Sequence, residues 1–465
     1  MSFEAPASAA SARRARVVLA LLMAFMALNF ADKGVLGLVA DPIRDDLDLT
    51  ATEFGTIASS FYLLFSISAL LVGFLGNRLR ARPLLAVLVL IWSAAQLPIL
   101  IPAAGFATLI ATRVLLGAGE GPGLPLSNHT AFGWFPQERR SLPAALITVG
   151  GALGAVLGAP LVIVIEGTLG WRGTFGALGV LGLVWLLAWW RWGGDGPYSA
   201  TGSGATPAAG ATPAADAVPA SEPVPEAVPT LGKDAVEAAP DERIPYRRIF
   251  LTGTWLGGTF SMFTVMWSLA LALAWLPTWL EDHVGLSDAQ VSGAVGLPSV
   301  TGLLCALGAG LLAQRLLARG TSARLAQGVL GAVAALLAGL CLLLLTRAGS
   351  TALILVLMAV GFAVGNAQTP LTNAAIARIC PPAQRAAALA TAYAIAATSS
   401  ILAPYVTGLL VDSAATEAAG FDRAIDLSGW LLVAGAVVAF LIVRPDQDGQ
   451  RTAPADRSPS TVPAS

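Results

Sequence analysis

The chain has 465 residues, 56% of them hydrophobic and only 12% charged, with a mean hydropathy of +0.73. A soluble domain carries about a quarter of its residues as charged side chains, so no soluble core absorbs this much apolar sequence. The net charge of −1 says little about partners; no basic nucleic-acid footprint, phosphate loop, metal-ligand spacing or catalytic constellation is present, which excludes nucleic-acid binding, ATP-driven transport and enzymatic chemistry.

Twelve apolar runs follow one another, each long enough to cross a hydrocarbon layer of roughly 30 Å as a helix. After a tail over 1–16, the first half places them near 17 to 39, 53 to 75, 83 to 102, 106 to 131, 143 to 165 and 171 to 192. The second half places them near 250 to 277, 289 to 313, 323 to 345, 351 to 377, 385 to 411 and 427 to 443, before a tail over 445–465. The first run resembles a secretory signal in having Arg13, Arg14 and Arg16 before it, but its length and the runs behind it mark a retained helix.

Lysine and arginine are sorted by side. Arg13, Arg14, Arg16, Arg78, Arg80, Arg82, Arg139 and Arg140, with the basic residues of the linker, the later even-numbered turns and the C-terminal tail, fall on the side of the N-terminus. The opposite side has Arg44, Arg172, Arg347 and Arg423. The positive-inside rule then puts both termini in the cytoplasm. Cys305, Cys341 and Cys380 have no CxxC spacing and read as small packing residues.

Between residues 193 and 246 the chain turns rich in Ala, Pro, Gly, Ser and Thr, the composition of a solvated linker. It divides one bundle of six spans, 17–192, from another, 247–444, and the halves echo each other. Gly73-Phe-Leu-Gly-Asn-Arg-Leu79 corresponds to Gly310-Leu-Leu-Ala-Gln-Arg-Leu316. Phe135-Pro-Gln-Glu-Arg-Arg140 leads into a helix expected to break at Pro160, as Cys380-Pro-Pro-Ala-Gln-Arg385 leads into one expected to break at Pro404. Duplicated halves of this kind rock about a site at the bilayer midplane.

Four charges stand inside the apolar runs: Asp32 and Lys33 in the first, Arg113 and Glu120 in the fourth. An ionisable group at membrane depth is costly and marks a functional site. At 1.5 Å of rise per residue, Asp32 lies about 22 Å above Val17 and Arg113 about 10 Å below Phe106, close to one depth. Glu120 follows two turns below Arg113 on the same face. A structural lock of two ion pairs is the plain alternative, but desolvation roughly offsets the attraction of a buried pair. Arg113 and Lys33 suit an organic carboxylate, the one as a planar fork and the other as a point charge. The four charges sum to zero, so an entering anion is balanced by a proton taken by Asp32 or Glu120, and this couples the two fluxes. Gly117, Gly119, Gly121 and Gly123 around Glu120 serve either helix mobility or close packing, and Gly150, Gly154 and Gly158 form a small-residue packing stripe.

The twelve spans, the linker and the loop from Gly73 to Arg82 resemble the major facilitator superfamily, whose loop motif is matched by Gly73, Leu75, Arg78 and Arg82 but has Asn77 in place of its acid. That implies an all-α membrane fold of two pseudo-symmetric six-helix bundles, with Asn77, Arg78 and Arg82 in the gating loop. Asn29-Phe-Ala-Asp-Lys33, Arg113-Val-Leu-Leu-Gly-Ala-Gly-Glu-Gly-Pro122, Trp134-Phe-Pro-Gln-Glu-Arg139, Gly170-Trp-Arg172 and Trp275-Leu-Pro-Thr-Trp-Leu280 resemble the anion:cation symporter family. That family carries hexonates, hexuronates, phthalate and related carboxylates; Phe30 and Lys33 depart from its usual Tyr and Arg. The resemblance implies polar substrate contacts from the second half, for which Asn366 and Thr398 are candidates beside Asn29, Phe30, Lys33 and Arg113.

The sequence therefore predicts a monomeric inner-membrane symporter that imports an organic carboxylate with protons by alternating access, without a cofactor or metal. The competing readings are a proton-coupled exporter of drugs or amphiphilic metabolites, which the paired cations disfavour, and a transporter-like receptor.

Overall fold

A computed structural model of the chain describes residues 9–76, 80–135, 140–198, 244–381 and 384–452. Every regular element among them is a helix. The first half holds α1 (Ala9–Leu38), α2 (Ala40–Leu47), α3 (Ala51–Gly76), α4 (Ala81–Gln96), α5 (Phe106–Glu120), α6 (Gly123–Phe132) and α7 (Ser141–Trp192). The second holds α8 (Tyr246–Phe250), α9 (Gly253–Asp282), α10 (Asp288–Ala294), α11 (Leu297–Ala318), α12 (Leu330–Leu345), α13 (Thr351–Gly361), α14 (Gln368–Ile379), α15 (Arg385–Asp412), α16 (Glu417–Ile442) and α17 (Pro445–Arg451).

Among the described residues, nine helical segments are long and apolar enough to cross a membrane. The other expected spans fall on α3, on the pair α5 and α6, and on the second part of α7. That helix runs for 52 residues and bends at Gly170, whose φ of 66° lies in the region open to glycine. Large apolar side chains such as Leu157, Val164, Leu187, Leu304, Val356 and Trp430 point outward and are exposed. In water such a surface invites aggregation; in lipid it is the solvated face.

One expectation is corrected: α7 and α15 are not broken at Pro160 and Pro404 but remain helical through them. A proline frees one carbonyl of the preceding turn without ending a helix whose neighbours hold it on both sides. The glycine stripe of α7 packs as its spacing implies. A Cβ at Gly150, Gly154 or Gly158 would fall 2.5, 2.0 or 2.7 Å from Met23, Ala27 or Ala31 of α1, so α1 and α7 meet with almost no side chain between them.

The duplication is visible in hydrogen bonds. Arg140 Nε donates to the carbonyl of Phe135 at 3.1 Å and Arg385 Nε to that of Cys380 at 3.2 Å, the same bond in both sequence echoes. Asp195, just after α7, accepts from the Arg82 amide at 3.1 Å at the start of α4. Asp446, just after α16, accepts from the Arg324 amide at 3.2 Å ahead of α12. Each carboxylate satisfies an orphan amide at a helix start.

The halves meet near α2. Their shared core includes Val35, Leu36, Phe54 and Phe175 from the first half and Trp275, Trp279, Leu342 and Phe421 from the second. Arg44 donates to Glu417 at 2.8 Å, and Asp412 accepts from the amides of Ala51 and Thr52 at 3.0 and 2.8 Å, capping α3 from the opposite half. These bonds and the Arg44–Glu417 ion pair join the two halves at this end.

Candidate functional site

The non-packing face of α1 carries Asn29, Asp32, Lys33 and Leu36, spaced as neighbours on a helix. Since α7 takes the opposite face through Ala27 and Ala31, this face is turned toward α3, α4, α5 and α9. α5 is drawn against α3 and α4 by its glycines. A Cβ at Gly117 or Gly121 would collide with the carbonyl of Phe61 or Phe65 in α3, and one at Gly119 with Leu88 and Trp92 in α4. Close packing thus accounts for these glycines, while the helix ends at Glu120 and restarts at Gly123, so the string serves a break as well.

Asp32, Arg113 and Glu120 are 1, 2 and 1% exposed, and Lys33 is partly buried. A cavity of about 30 Å³ is lined by Asp32, Lys33 and Arg113 from the first half and by Ala270, Leu273, Ala274 and Pro404 from the second. Glu120 is not on that wall; it stays buried within electrostatic range of Asp32, Lys33 and Arg113.

The four charges do not lock each other. Among the described residues no ion pair within 4.0 Å joins any two of them. Arg113 rests on the Phe175 ring, its Cζ 4.5 Å from the centroid, and its Nε and one terminal nitrogen have no hydrogen-bond partner. The Lys33 ammonium lies 4.7 Å from the Phe30 ring and 5.0 Å from the Phe65 ring, and donates to Asn29 Oδ1 at 2.7 Å. Both Glu120 oxygens are unpartnered, and Asp32 has the Trp92 indole beside it as well as Gln96. Cations seated on aromatic faces keep part of their charge compensated while their donors stay free for an anion.

Gln96 was not among the candidates, yet its Nε2 donates to Asp32 Oδ2 at 2.9 Å. The rule that flagged the charges applies to a buried amide in an apolar run, and would have found it. Phe175 and Phe65 carry no such signal, because an aromatic side chain in an apolar run has the composition of the run itself.

The remaining candidates divide. Asn366 lines a second cavity of about 320 Å³ between the halves, along with Phe30 and Leu273. Thr398 lines neither cavity; it is exposed and its hydroxyl returns to the carbonyl of Ile395 at 2.7 Å. Asn77 and Arg78 of the gating loop lie outside the described residues. Arg82 is held within its own half, donating to the Trp190 carbonyl while its own carbonyl accepts from Trp189 Nε1 at 2.9 Å. Among the described residues no cluster of His, Cys, Asp or Glu is disposed to hold a metal ion.

The chain is similar to known carriers. It is 27% identical over 439 residues to the hexuronate transporter of Bacillus subtilis strain 168, covering 92% of this chain and 94% of that protein. It is 24% identical over 373 residues to the D-galactonate transporter of Escherichia coli O6:H1, covering 79% and 83%. In fold it is similar to a bacterial homologue of the human lysosomal transporter Spinster in an inward-facing, unoccupied state, with a TM-score of 0.73 at 16% identity over 94% of this chain and 98% of that one. A D-xylose-proton symporter gives a TM-score of 0.69 at 16% identity, covering 93% and 98%. The family model for the Major Facilitator Superfamily matches residues 21–365 and 328–464. A multi-pass helical chain with duplicated halves, matched by that model over nearly its whole length, belongs to the Major Facilitator Superfamily and is a membrane transporter, not an enzyme.

Proposed function

We propose that the chain imports an organic carboxylate together with protons, by rocking of the bundles 17–192 and 247–444 about the cavity between them. The observation that carries this is the unlocked charge set: two cations on aromatic seats and two carboxylates, largely buried, with donors of Arg113 and both oxygens of Glu120 unpartnered inside the protein. Such an arrangement is poor as a structural device and apt as a site whose partners arrive and leave. Arg113 and Lys33 receive the carboxylate, and Asp32 and Glu120 take the compensating proton. Named relatives carry hexuronate and D-galactonate, which supports an anionic substrate.

On this reading the chain works as a monomer in an inner membrane with both termini in the cytoplasm, which the sorting of its basic residues supports. The end at α2 then faces outward, and the structure is the state sealed against the outside. The larger cavity is mostly apolar, which stands on the side of an exporter of amphiphiles, as does the likeness of Gly150, Gly154, Gly158 and Pro160 to the fifth-helix glycine and proline motif of superfamily antiporters.

Proteoliposomes loaded with a pH-sensitive dye and challenged with organic acids separate these readings. Acidification of the lumen by particular anions, beyond the leak of protein-free vesicles, supports symport; alkalinisation on adding a compound supports proton antiport and rejects the import reading.

A further inference from the structure

The larger cavity bears on which carboxylate is carried. It holds about 320 Å³ between the two halves, in the range of a small-molecule site. Its walls include Phe30, Leu269, Leu273, Leu276, Pro298 and Phe362. It adjoins the charge set: Leu273 lines both cavities, and Phe30, on its wall, is the ring 4.7 Å from the Lys33 ammonium. A carboxylate held by Lys33 thus has its remaining atoms directed along an apolar surface.

Polar groups there are few. Thr148 lines the cavity, but its hydroxyl donates to the carbonyl of Ala144 at 3.1 Å and is left able only to accept. Only the side chains of Ser299 and Asn366 remain on that wall without a hydrogen bond among the described residues. A sugar acid brings four or more hydroxyls, roughly one per ring carbon, and each must be paired when it leaves water. Ser299, Asn366 and the acceptor of Thr148 are few partners for them on a wall otherwise apolar, and Phe30 lacks the phenol that a tyrosine would supply.

We infer that the anion carried is a carboxylate with an apolar cyclic or aliphatic body, not a polyhydroxylated sugar acid. This rests on the anion reading above. It sets the chain apart from the named hexuronate and galactonate carriers in the body of the substrate while keeping the charged head.

Two ligands that share a six-membered ring and a carboxylate test it: cyclohexanecarboxylate and glucuronate, titrated calorimetrically into the purified full-length protein, with acetate as the bare head group. Cyclohexanecarboxylate should bind at least about tenfold tighter than glucuronate. Ala155→Phe, which fills the cavity from α7, should weaken cyclohexanecarboxylate at least about tenfold and leave acetate unchanged. Phe30→Tyr, which puts one hydroxyl on the wall, should narrow the ratio between the two ring acids. Glucuronate binding as tightly as cyclohexanecarboxylate, or a ratio unmoved by both variants, overturns the inference and leaves the anion reading standing. Failure of every carboxylate to bind overturns both.

Discussion

Arg44 on α2 and Glu417 in the first turn of α16, 373 positions apart, meet at 2.8 Å and tie one half of the chain to the other. The pair sits beside the shared core, where Arg44 also approaches the ring of Trp275. Opening this end requires breaking it. Glu417 is half exposed, so the bond is worth only about 0.5–1 kcal/mol, and Arg44→Ala should shift the balance toward the state open at this end by roughly two- to fivefold. The check is the rate at which an impermeant thiol reagent labels a cysteine placed at Leu36, on the wall of the smaller cavity, with the three native cysteines replaced. An unchanged rate would remove the pair from the closure.

The same end should respond to pH. Burial raises the Asp41 carboxyl to about 6; Asp282 and Asp45 add to this, and Arg44 opposes it. Glu281 of α9, raised to about 7 by burial and by Asp41, Asp288 and Asp282, titrates beside it, and Asp46, Glu53, Asp412, Glu417 and Asp422 also face this end. A carboxyl raised in the sealed state favours that state when protonated. The stabilisation is full below the ordinary value of 3.8 and is lost as pH rises through about 6. Measured against an always-exposed cysteine, which corrects for the falling thiolate fraction, labelling at Leu36→Cys should therefore slow further as pH falls from about 7 to about 5, and Asp41→Asn should reduce that excess, leaving the part due to Glu281.

Much of the candidate site was legible in the sequence because charge in an apolar run is rare. Asp32, Lys33, Arg113 and Glu120 announced themselves, and the rise of a helix placed two of them at one depth. What stayed hidden has two causes. Arg44, Asp412 and Glu417 lie in polar segments where charge carries no signal, and only the fold brings them together. Thr398 was a candidate because the family resemblance implies polar contacts from the second half, and the small-residue stretch around it, Ala396-Ala-Thr-Ser-Ser400, has no apolar stripe to say which face is inside. Prolines misled for a similar reason: a local rule predicts a break at Pro160 and Pro404, and tertiary contacts keep the helices whole.

Gln96 should matter to stability as well as to the site. Its bond to Asp32 is charge-assisted when the carboxylate is ionised, so Gln96→Leu should cost about 1.5–3 kcal/mol. The melting temperature in detergent reads this. Asp32→Asn in the same background should recover part of the loss, since the pair then has no buried charge to support; strictly additive losses would show that the two side chains act independently.

The α1–α7 contact gives a sharper contrast. A Cβ at Gly154 would lie 2.0 Å from the carbonyl of Ala27, whereas one at Gly167 in the same helix meets nothing within 4 Å. Gly167→Ala should be neutral or stabilise by about 0.5–1 kcal/mol, the helix preference of alanine over glycine. Gly154→Ala must push α7 off α1, and because Phe30 and Lys33 ride on α1 it should lower both the melting temperature and uptake. Equal behaviour of the two variants would mean that α1 is not positioned by this stripe.

Arg113 and Glu120 separate binding from coupling. Arg113→Ala removes the guanidinium from the Phe175 ring and leaves Asp32 and Glu120 facing a single cation, so substrate uptake should fall to the level of empty vesicles. Glu120→Gln keeps the shape and removes the titrating proton. Exchange of substrate for substrate across the vesicle membrane should persist in this variant, because it moves no net proton. Accumulation driven by a pH gradient should be lost. Full accumulation by Glu120→Gln would assign the coupling proton to Asp32 alone, the other carboxylate of the set, whose contact with Gln96 then becomes the place to look for its control.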